Sequence, residues 1–371
     1  MRLATFNVEN MFERARALNL DTWAEGRPVL EDFERLNTLI QEAVYTPAIK
    51  AELLAIMGRH KGLLTQSESR FIRLRDIRRK LIARPRGKPA EIAVNGRGDW
   101  IGWFELQREP VKEAATENTA RVIGLLQSDV LCVVEAEDRI GLKRFNDDVI
   151  PSVGTQRFEH VMLIDGNDER GIDVGILTRA GFDIVRMLSH VDARDATGIV
   201  FSRDCAEYEI TTPKGGRLLV LINHFKSKGY GSTASSNAKR LRQARRTREI
   251  YDRRIKDGYE HIAIAGDLNE VPDGAPLAPL LGKSPKLIDV MTHKTFVGDG
   301  RPGTYANGTK SGKFDYILLS PRLAKKVTAA GIERRGVWGG KNGTLFPHLP
   351  TMKSDKDAAS DHAALWVDLD I

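Results

Sequence analysis

Cysteine is scarce in this chain, which has two in 371 residues. One of them, Cys132, lies inside an apolar run, and the other, Cys205, lies between charged neighbours. Two such residues provide neither a disulfide framework nor a thiolate metal site. The composition therefore fits a protein of a reducing compartment.

Long apolar runs are also missing from the sequence. No stretch approaches the roughly 18 consecutive apolar residues of a membrane-spanning helix. The N-terminus has no basic region followed by an apolar region and a cleavage site, and residues 2–8 already have the pattern of a strand. We therefore expect a cytoplasmic protein that neither enters a membrane nor carries a secretion signal.

Basic residues outnumber acidic residues in this chain. The 57 Lys and Arg against 50 Asp and Glu give a formal net charge of +7 and a pI of about 9.3. This balance favours polyanionic partners, nucleic acid among them, without identifying one. Hydrophobic residues make up 41% of the chain, which is enough for one large α/β domain or two smaller ones.

The first part of the chain has a helical pattern. Apolar residues of segment 31–81 recur at helical spacing in three groups, at 36–44, 53–57 and 71–81, which predicts several amphipathic helices. Proline and glycine at 84–89 interrupt this pattern, and the aromatic run 100–104 indicates one strand before a helix at about 111–127.

Short apolar or β-branched runs bounded by Gly, Asp, Asn or Pro follow that helix. They are typical of strands buried on both faces of a sheet. Where such runs succeed each other without a helix, we expect antiparallel neighbours. The pattern predicts a sandwich of mixed sheets flanked by helices. The runs are 130–134, 158–164, 172–177, 182–188, 205–210, 218–223, 261–265 and 314–319, with helices at about 140–149 and 235–256.

Polar side chains lie where these strands end. Strand ends converge on one edge of a sheet, so residues far apart in sequence can share a cleft. Carboxylates, amides and imidazoles without cysteine are ligands suited to Mg²⁺ or Mn²⁺. Such a set also offers a carboxylate to activate water and donors for phosphate oxygens, as a phosphoester hydrolase needs. Its members are Asn7, Glu135, His224, Asp267, Asn269, Asp315, Asp361 and His362.

Seven short segments resemble, in this order, the motifs of the endonuclease/exonuclease/phosphatase superfamily, which includes pancreatic-type deoxyribonuclease and abasic-site endonucleases. The motifs are most similar to those of its bacterial nuclease-like members. The resemblance implies a four-layer α/β/β/α sandwich with mixed, largely antiparallel sheets, and it covers residue 1 to about 12 and about 112 to 371. The segments are TFNVENMF (5–12), DVLCVVEAED (129–138), RGIDVG (170–175), NHFKSKG (223–229), AGDLN (265–269), FDYIL (314–318) and SDHA (360–363).

The resemblance implies a role for each metal-facing residue. Glu135 is expected to be the principal ligand of Mg²⁺ or Mn²⁺, assisted by Asn7 and Asp361. Asp267 is expected to orient or deprotonate the attacking water, and Asn269 to hold the phosphate or the water.

The resemblance also implies roles for the imidazoles. His224 is expected to donate a hydrogen bond to a non-bridging phosphate oxygen, and His362, held by Asp315, to face the same phosphate. Arg170 and Asp173 are expected to lie behind these groups, with Asp173 orienting His224.

Basic residues outside the motifs suggest substrate contacts. Lys226 and Lys228 follow a catalytic strand and are expected either to touch substrate phosphate or to be solvated loop lysines. The helix containing residues 239–248 is strongly basic, but a charged outer face is the ordinary explanation for it. The denser run 70–88 is expected to track a phosphate backbone, in particular through Arg75, Arg78 and Arg79.

This run lies where the chain departs from the family pattern. We expect a single catalytic domain over residues 1–371, interrupted after its first strand by a mostly helical, basic insertion at 14–110 that clamps a polynucleotide, binds a protein partner or covers the sheet. The leading hypothesis is a Mg²⁺-dependent nuclease cleaving DNA or RNA. The alternatives are a small-molecule or inositol phosphatase or a phospholipid diesterase with the same site, and a non-catalytic scaffold or binding protein. The lack of a membrane-seeking element argues against a lipid substrate.

Overall fold

The computed structural model describes residues 1–18, 20, 23–228, 232–282 and 284–371. They form two compact units. The first contains Met1–Phe12, Val111–Lys228 and Ser232–Ile371, and the second contains Glu13–Pro110, the stretch predicted to be an insertion. In the described part of the chain, no helix is both long and apolar enough to cross a membrane.

The strands of the described residues are numbered in chain order. They are β1 (Arg2–Asn7), β2 (Glu13–Ala15), β3 (Ile72–Arg78), β4 (Ile82–Ala83), β5 (Glu91–Ile92), β6 (Ile101–Leu106), β7 (Arg108–Pro110), β8 (Val130–Ala136), β9 (His160–Ile164), β10 (Asp173–Thr178), β11 (Ile184–Leu188), β12 (Arg194–Asp195), β13 (Gly198–Ile199), β14 (Cys205–Thr211), β15 (Arg217–His224), β16 (Ile262–Asp267), β17 (Ile288–Asp289), β18 (Phe296–Val297), β19 (Asp315–Leu319), β20 (Val327–Glu333) and β21 (Ala364–Leu369).

The helices are numbered in the same way, and short 3₁₀ turns and one π-helical turn, Phe145–Val149, accompany them. They are α1 (Trp23–Leu39), α2 (Pro47–Arg59), α3 (Leu63–Gln66), α4 (Glu113–Leu126), α5 (Arg139–Arg144), α6 (Ile150–Ser152), α7 (Thr233–Lys256), α8 (Ala278–Leu281) and α9 (Pro321–Ala324).

Two sheets form the centre of the first unit. One has seven strands in the order β18-β20-β21-β1-β8-β10-β9, and the other has six in the order β11-β14-β15-β16-β19-β17. The pairs β1/β8, β15/β16 and β18/β20 are parallel, and the remaining neighbours in these two sheets are antiparallel. The prediction of mixed, largely antiparallel sheets is confirmed.

The layers of this unit follow from the apolar runs. Val130, Cys132 and Val134 of β8 pack with Val220 and Ile222 of β15 in one core between the two sheets. The opposite faces of the sheets pack on helices, the first on α4 and α5 and the second on α7 and α8. Because both faces of these strands are buried, their sequences are almost continuously apolar. The predicted four-layer α/β/β/α sandwich is confirmed.

The second unit has its own apolar core, formed by α1, α2 and the strands between β3 and β6. The helix predicted over 71–81 is wrong, because Ile72–Arg78 forms strand β3, paired with β6. Ile72 and Leu74 are buried, whereas Arg73 and Arg75 between and after them lie outward. Apolar residues at this spacing satisfy the two-residue period of a strand as well as a helical one. The strand predicted in the aromatic run 100–104 is right and corresponds to β6.

Candidate active site and metal centre

The register of the six-stranded sheet brings three predicted residues into one row. His224 at the end of β15 lies opposite Asp267 of β16, and Asp267 lies opposite Asp315 of β19. Directly opposed side chains of neighbouring strands lie about 5 Å apart. The other sheet reaches the same place, because Asn7 Nδ2 at the end of β1 donates a hydrogen bond to Asp267 Oδ2 at 3.3 Å. The predicted convergence of strand ends is therefore present in the structure.

A buried dyad forms one side of this cleft. His362 Nδ1 lies 2.8 Å from Asp315 Oδ2, and His362 Nε2 lies 3.9 Å from Asp267 Oδ2 and 3.7 Å from Asp361 Oδ1. Burial alone would lower the pKa of His362, but the surrounding carboxylates, Asp315 first, raise it well above its usual value. His362 is therefore an imidazolium at neutral pH.

The second histidine has the opposite character. His224 Nε2 lies 3.6 Å from Glu135 Oε1 and 3.8 Å from Asp267 Oδ2. Burial, together with the positive charges of Arg170 and His362, lowers the pKa of His224 well below its usual value. His224 is therefore neutral, and the cleft contains one charged and one uncharged imidazole.

Asp173 does not orient His224 as predicted. The Nδ1 atom of His224 has no hydrogen-bond partner among the described residues. The Asp173 carboxylate instead accepts the N–H of Gly166 at 2.7 Å. Arg170 donates from Nε and Nη2 to the two oxygens of Asp168, each at 3.0 Å, and influences the cleft through its charge.

Asp267 is the most constrained carboxylate of the cleft. Its Oδ1 accepts the backbone N–H of Asn269 at 2.8 Å, and its Oδ2 accepts the side-chain amide of Asn269 at 3.0 Å. Burial raises the pKa of Asp267 well above its usual value, and the carboxylates of Asp315 and Glu135 add to the rise against the opposing charge of His362. Asn269 thus fixes the position of the carboxylate that is expected to activate water.

Backbone strain is concentrated at this cleft. Glu9, Glu135 and Asn269 have φ angles of 50°, 68° and 51°, in the left-handed region that non-glycine residues avoid. Each such residue costs about 1–3 kcal/mol and persists where its surroundings fix it. Strain of this kind clusters at functional sites.

Gly266 permits the close approach of β15 and β16 next to Asp267. Its φ angle is 126°, and a Cβ atom built there would lie 2.0 Å from the backbone oxygen of Asn223. A side chain at this position would therefore push β16 away from β15 and separate Asp267 from His224.

Glu9 and Ser360 lie inside the motifs and also contribute to the site, although the sequence predicts no role for them. The Glu9 carboxylate accepts the N–H of Asp361 at 3.0 Å, and the Glu9 N–H donates to Asn7 Oδ1 at 3.0 Å. Ser360 Oγ donates to the backbone oxygen of Asn7 at 2.7 Å and accepts the N–H of His362 at 2.9 Å. Through these hydrogen bonds, Glu9 and Ser360 connect the C-terminal end of β1 to the loop that precedes β21.

Tyr305 and Thr304 had no recognisable signal in the sequence. The Tyr305 ring lies 5.0 Å from the His362 ring and stacks on Phe314 at 5.4 Å. Thr304 Oγ1 accepts the N–H groups of Phe314 and Asp315 at 3.1 and 3.0 Å. This loop therefore contacts the His362 ring and holds the backbone of Asp315.

The two lysines after β15 lie in different environments. Lys228 Nζ forms an ion pair with the buried Glu270 and lies 5.4 Å above the Phe314 ring. Lys226 is buried, and its backbone is fixed by Gln243 and Arg240. Neither is a freely solvated loop lysine. The next residue of that motif, Gly229, lies outside the described residues.

Helix α7 uses its arginines within the fold. Arg240 forms an ion pair with Glu270, Arg242 with Asp195 and Arg254 with Glu207. Arg248 also pairs with Asp252. Several cations of this helix are thus used in ion pairs within the fold, whereas Arg245 and Arg253 are exposed.

The residues of the cleft fit a divalent cation. Asp267, Asp315 and His362 offer ligand atoms within 4.8 Å of one another, but Asp315 and His362 already hydrogen-bond each other. Glu135, which accepts a hydrogen bond from Asn7, is half-buried, and desolvation is the first cause of its raised pKa. Crowded carboxylates that resist ionisation bind a hard cation readily, because its charge stabilises their ionised form.

The fold and the site together define a hydrolase of phosphoester bonds. The sequence matches the endonuclease/exonuclease/phosphatase family over residues 110–332, more than half of the chain. The chain belongs to this family. A search of curated proteins gives no significant match.

Three solved structures are similar to this chain. The mannosyl-6-phosphatase of Bacteroides thetaiotaomicron is 15% identical with a TM-score of 0.50, over 70% of this chain and 92% of that one. An endonuclease/exonuclease/phosphatase family protein of the same organism is 16% identical with a TM-score of 0.49, over 68% and 86%. The human nocturnin catalytic domain, with bound sulfate, is 16% identical with a TM-score of 0.47, over 71% and 88%. At these identities the likeness concerns the fold alone.

Proposed function

We propose that the protein is a Mg²⁺- or Mn²⁺-dependent phosphodiesterase that cleaves nucleic acid, DNA or RNA. The observation that supports this most directly is the cleft itself. It combines the carboxylates of the half-buried Glu135 and the buried Asp267 with a neutral His224 and a charged His362. Phosphoryl transfer needs a base for water, charge for the equatorial oxygens and donors aimed at them.

Each group has a task in this proposal. Glu135, with Asn7 and Asp361, would hold the metal, which when bound neutralises charge on the phosphate. Asp267 orients the attacking water and takes its proton, since its position is fixed by two hydrogen bonds from Asn269.

The imidazoles act on the phosphate. His224 presents Nε2 to the cleft as a neutral hydrogen-bond donor. His362 presents its charged Nε2, while Nδ1 is bound to Asp315. Both stabilise the negative charge that develops on the non-bridging oxygens as water attacks phosphorus and the bond to the leaving oxygen breaks.

Charge supports nucleic acid as the substrate. The chain carries a net charge of +7, and several arginines of α7 form ion pairs within the fold. In the second unit, Arg78 and Arg79 are exposed, and Arg78 donates to the backbone oxygen of Gly98 at 3.2 Å. We propose that these two, with Arg75, contact the substrate backbone, and that Lys226 and Lys228 act near the cleft.

One assay ranks the substrates. Purified protein is incubated with supercoiled plasmid, single-stranded DNA, RNA, a small chromogenic phosphodiester and a phosphomonoester, each with Mg²⁺, Mn²⁺ or EDTA. We expect metal-dependent cleavage of polynucleotide and of the diester. The Asp267→Ala variant serves as the inactive control, and Asp370→Asn, an exposed carboxylate, as the matched active one.

Two results would overturn the proposal. Hydrolysis of the monoester alone would identify a phosphatase. Metal-independent cleavage, or no hydrolysis of any ester by a folded protein, would remove the mechanism and favour a binding protein that retains the fold.

A further inference from the structure

The outward face of the β3–β6 ribbon, defined as Arg73, Arg75, Arg78, Ile101, Trp103 and Glu105, has an unusual composition for an exposed surface. Its register places Arg73 opposite Glu105, Arg75 opposite Trp103, and Arg78 opposite Ile101. Each outward-facing residue of β6 therefore lies opposite an arginine of β3. Directly opposed side chains of two strands lie within contact distance of each other.

Large apolar side chains are exposed on this ribbon. Trp103 is 41% exposed, Ile101 is 40% exposed, and Ile77, in the bulge of β3, is 64% exposed. The alternate positions of both strands already supply the buried core of the unit through residues such as Leu74 and Phe104. Trp103 and Ile101 are therefore not needed to complete that core, and apolar groups clustered on a charged surface indicate a binding function.

The tryptophan is held in place. Trp103 Nε1 donates to Glu105 Oε1 at 2.8 Å, and Arg75 Nε donates to Glu105 Oε2 at 2.8 Å. One carboxylate thus fixes the indole and the guanidinium side by side. A ring that is ordered before binding loses little entropy when a flat partner stacks on it.

The surroundings are strongly basic. Residues 70–88 contain nine Lys or Arg and a single Asp. Arg73 pairs with Glu68 and Arg75 with Glu105. Arg79 and Lys88 have no ion pair within the described part of the chain. The ribbon therefore keeps an excess of positive charge beside its exposed indole, which favours a polyanion over a protein partner of mixed charge.

We propose that the outward face of the β3–β6 ribbon binds single-stranded nucleic acid, with an unpaired base stacked on Trp103 and the neighbouring phosphates contacted by Arg78 and Arg79. This rests on the proposed function and specifies its substrate class. A duplex hides the faces of its bases, whereas a single strand offers them to an aromatic ring. The stacking contact on this face therefore favours single strands over duplexes, whereas its positive charge attracts both kinds of nucleic acid.

The experiment measures binding without cleavage. Full-length protein in EDTA is titrated into a fluorescein-labelled thymidine oligonucleotide and into a duplex of equal length, and fluorescence anisotropy gives the two Kd values. The variants are Trp103→Ala, Trp103→Phe, which keeps a ring, and Val44→Ala, an exposed apolar residue of the same unit that is 65% exposed.

We expect Trp103→Ala to weaken single-strand binding by at least about fivefold, in line with the loss of one base–aromatic stack. Duplex binding should change by less than about twofold. Trp103→Phe should recover most of the affinity, and Val44→Ala should match the parent. Recovery by phenylalanine separates stacking from loss of the Glu105 hydrogen bond.

Three results would overturn the inference: no effect of Trp103→Ala, an equal loss for both ligands, or no binding of any oligonucleotide by the parent protein. The proposed function is judged separately, by metal-dependent hydrolysis of a small chromogenic phosphodiester by the parent protein. If the ester is hydrolysed but Trp103 has no effect, the ribbon proposal fails and the catalytic mechanism stands.

Discussion

His362 Nδ1 donates a hydrogen bond to Asp315 Oδ2 at 2.8 Å, with both side chains buried. This bond fixes the ring so that Nε2 faces Asp267, and the carboxylate stabilises the imidazolium. The carboxylate of Asp315 therefore sets both the orientation and the charge of the His362 imidazole. Replacing this carboxylate with an amide tests whether activity depends on that charge.

We expect Asp315→Asn to reduce kcat/KM by on the order of a hundredfold at neutral pH. The pKa of His362 is raised in the parent, so its protonated form persists above the usual histidine range. Without the carboxylate that pKa falls, and the limb on which activity declines with rising pH moves to lower pH. A pH profile of kcat/KM measures the shift. An unchanged limb would show that activity does not depend on charged His362.

The catalytic roles of Asp267 and His224 are tested by replacing each side chain in turn. Asp267→Ala or His224→Ala should lower kcat by on the order of a hundredfold or more, because both groups act mainly in the transition state. Thermal melts should show intact folding. Near-normal turnover in both variants would remove their assigned roles.

Metal binding is tested at Glu135. Mg²⁺ should raise the melting temperature of the parent, because a ligand that binds only the folded state stabilises it. Glu135→Gln keeps the shape of the side chain but removes its charge, and we expect it to abolish most of this rise. Glu159→Gln, an exposed carboxylate of the same unit, is the control. An equal Mg²⁺ effect in both variants would place the metal elsewhere.

The strands that carry the site were predictable because they are buried on both faces. β8 and β16 are nearly all apolar until they reach Glu135 and Asp267. A polar residue after such a run is recognisable from the sequence alone. Which strands are neighbours could not be predicted from the pattern of any one strand, since pairings such as His224 with Asp267 join residues far apart in the chain.

The helix predicted at 71–81 shows where local pattern is insufficient. Ile72 and Leu74 fit a strand, but Ile77 and Leu81 also continue a helical spacing. The choice is made by pairing with β6, about 30 residues later, and by Trp100, whose Nε1 donates to Asp76 Oδ1 at 2.7 Å. In the same way, Tyr305 joins the site through a loop contact that no periodicity encodes.

Asp173 should make stability depend on pH. Burial, followed by nearby carboxylates such as Asp168 and Asp204, raises its pKa to about 7 from the model-peptide value of 3.8. The folded state thus keeps a proton that the unfolded state has lost, so stability falls as pH rises from about 4 to about 7 and is constant above.

Asp173→Asn cannot ionise and still accepts the Gly166 N–H. We therefore expect no effect on the melting temperature at pH near 4, and at pH 8 a gain of about 1–4 kcal/mol in the free energy of unfolding. Melts across this range measure the difference. A variant less stable than the parent at pH 8 would show that the charged carboxylate is stabilised in the folded protein.

The last prediction concerns the positive charge beside the ribbon. Arg78→Glu with Arg79→Glu should weaken polynucleotide binding by tenfold or more, on the order expected for lost and reversed phosphate contacts. Arg75 is left unchanged, because it forms an ion pair with Glu105, and a carboxylate in its place would disturb the ribbon. The plot of log Kd against log salt should become shallower by about one to two, since each phosphate contact contributes roughly 0.7–0.9.

The matched control reverses the adjacent exposed lysines of the first unit, Lys325→Glu with Lys326→Glu. It alters the net charge by the same amount, so it separates a local contact from the overall field of the protein. An equal loss in both double variants would mean that the substrate responds only to net charge. A loss of binding confined to the Arg78 and Arg79 variant supports a backbone contact at the ribbon. In that variant, cleavage of polynucleotide should also fall relative to cleavage of a small diester.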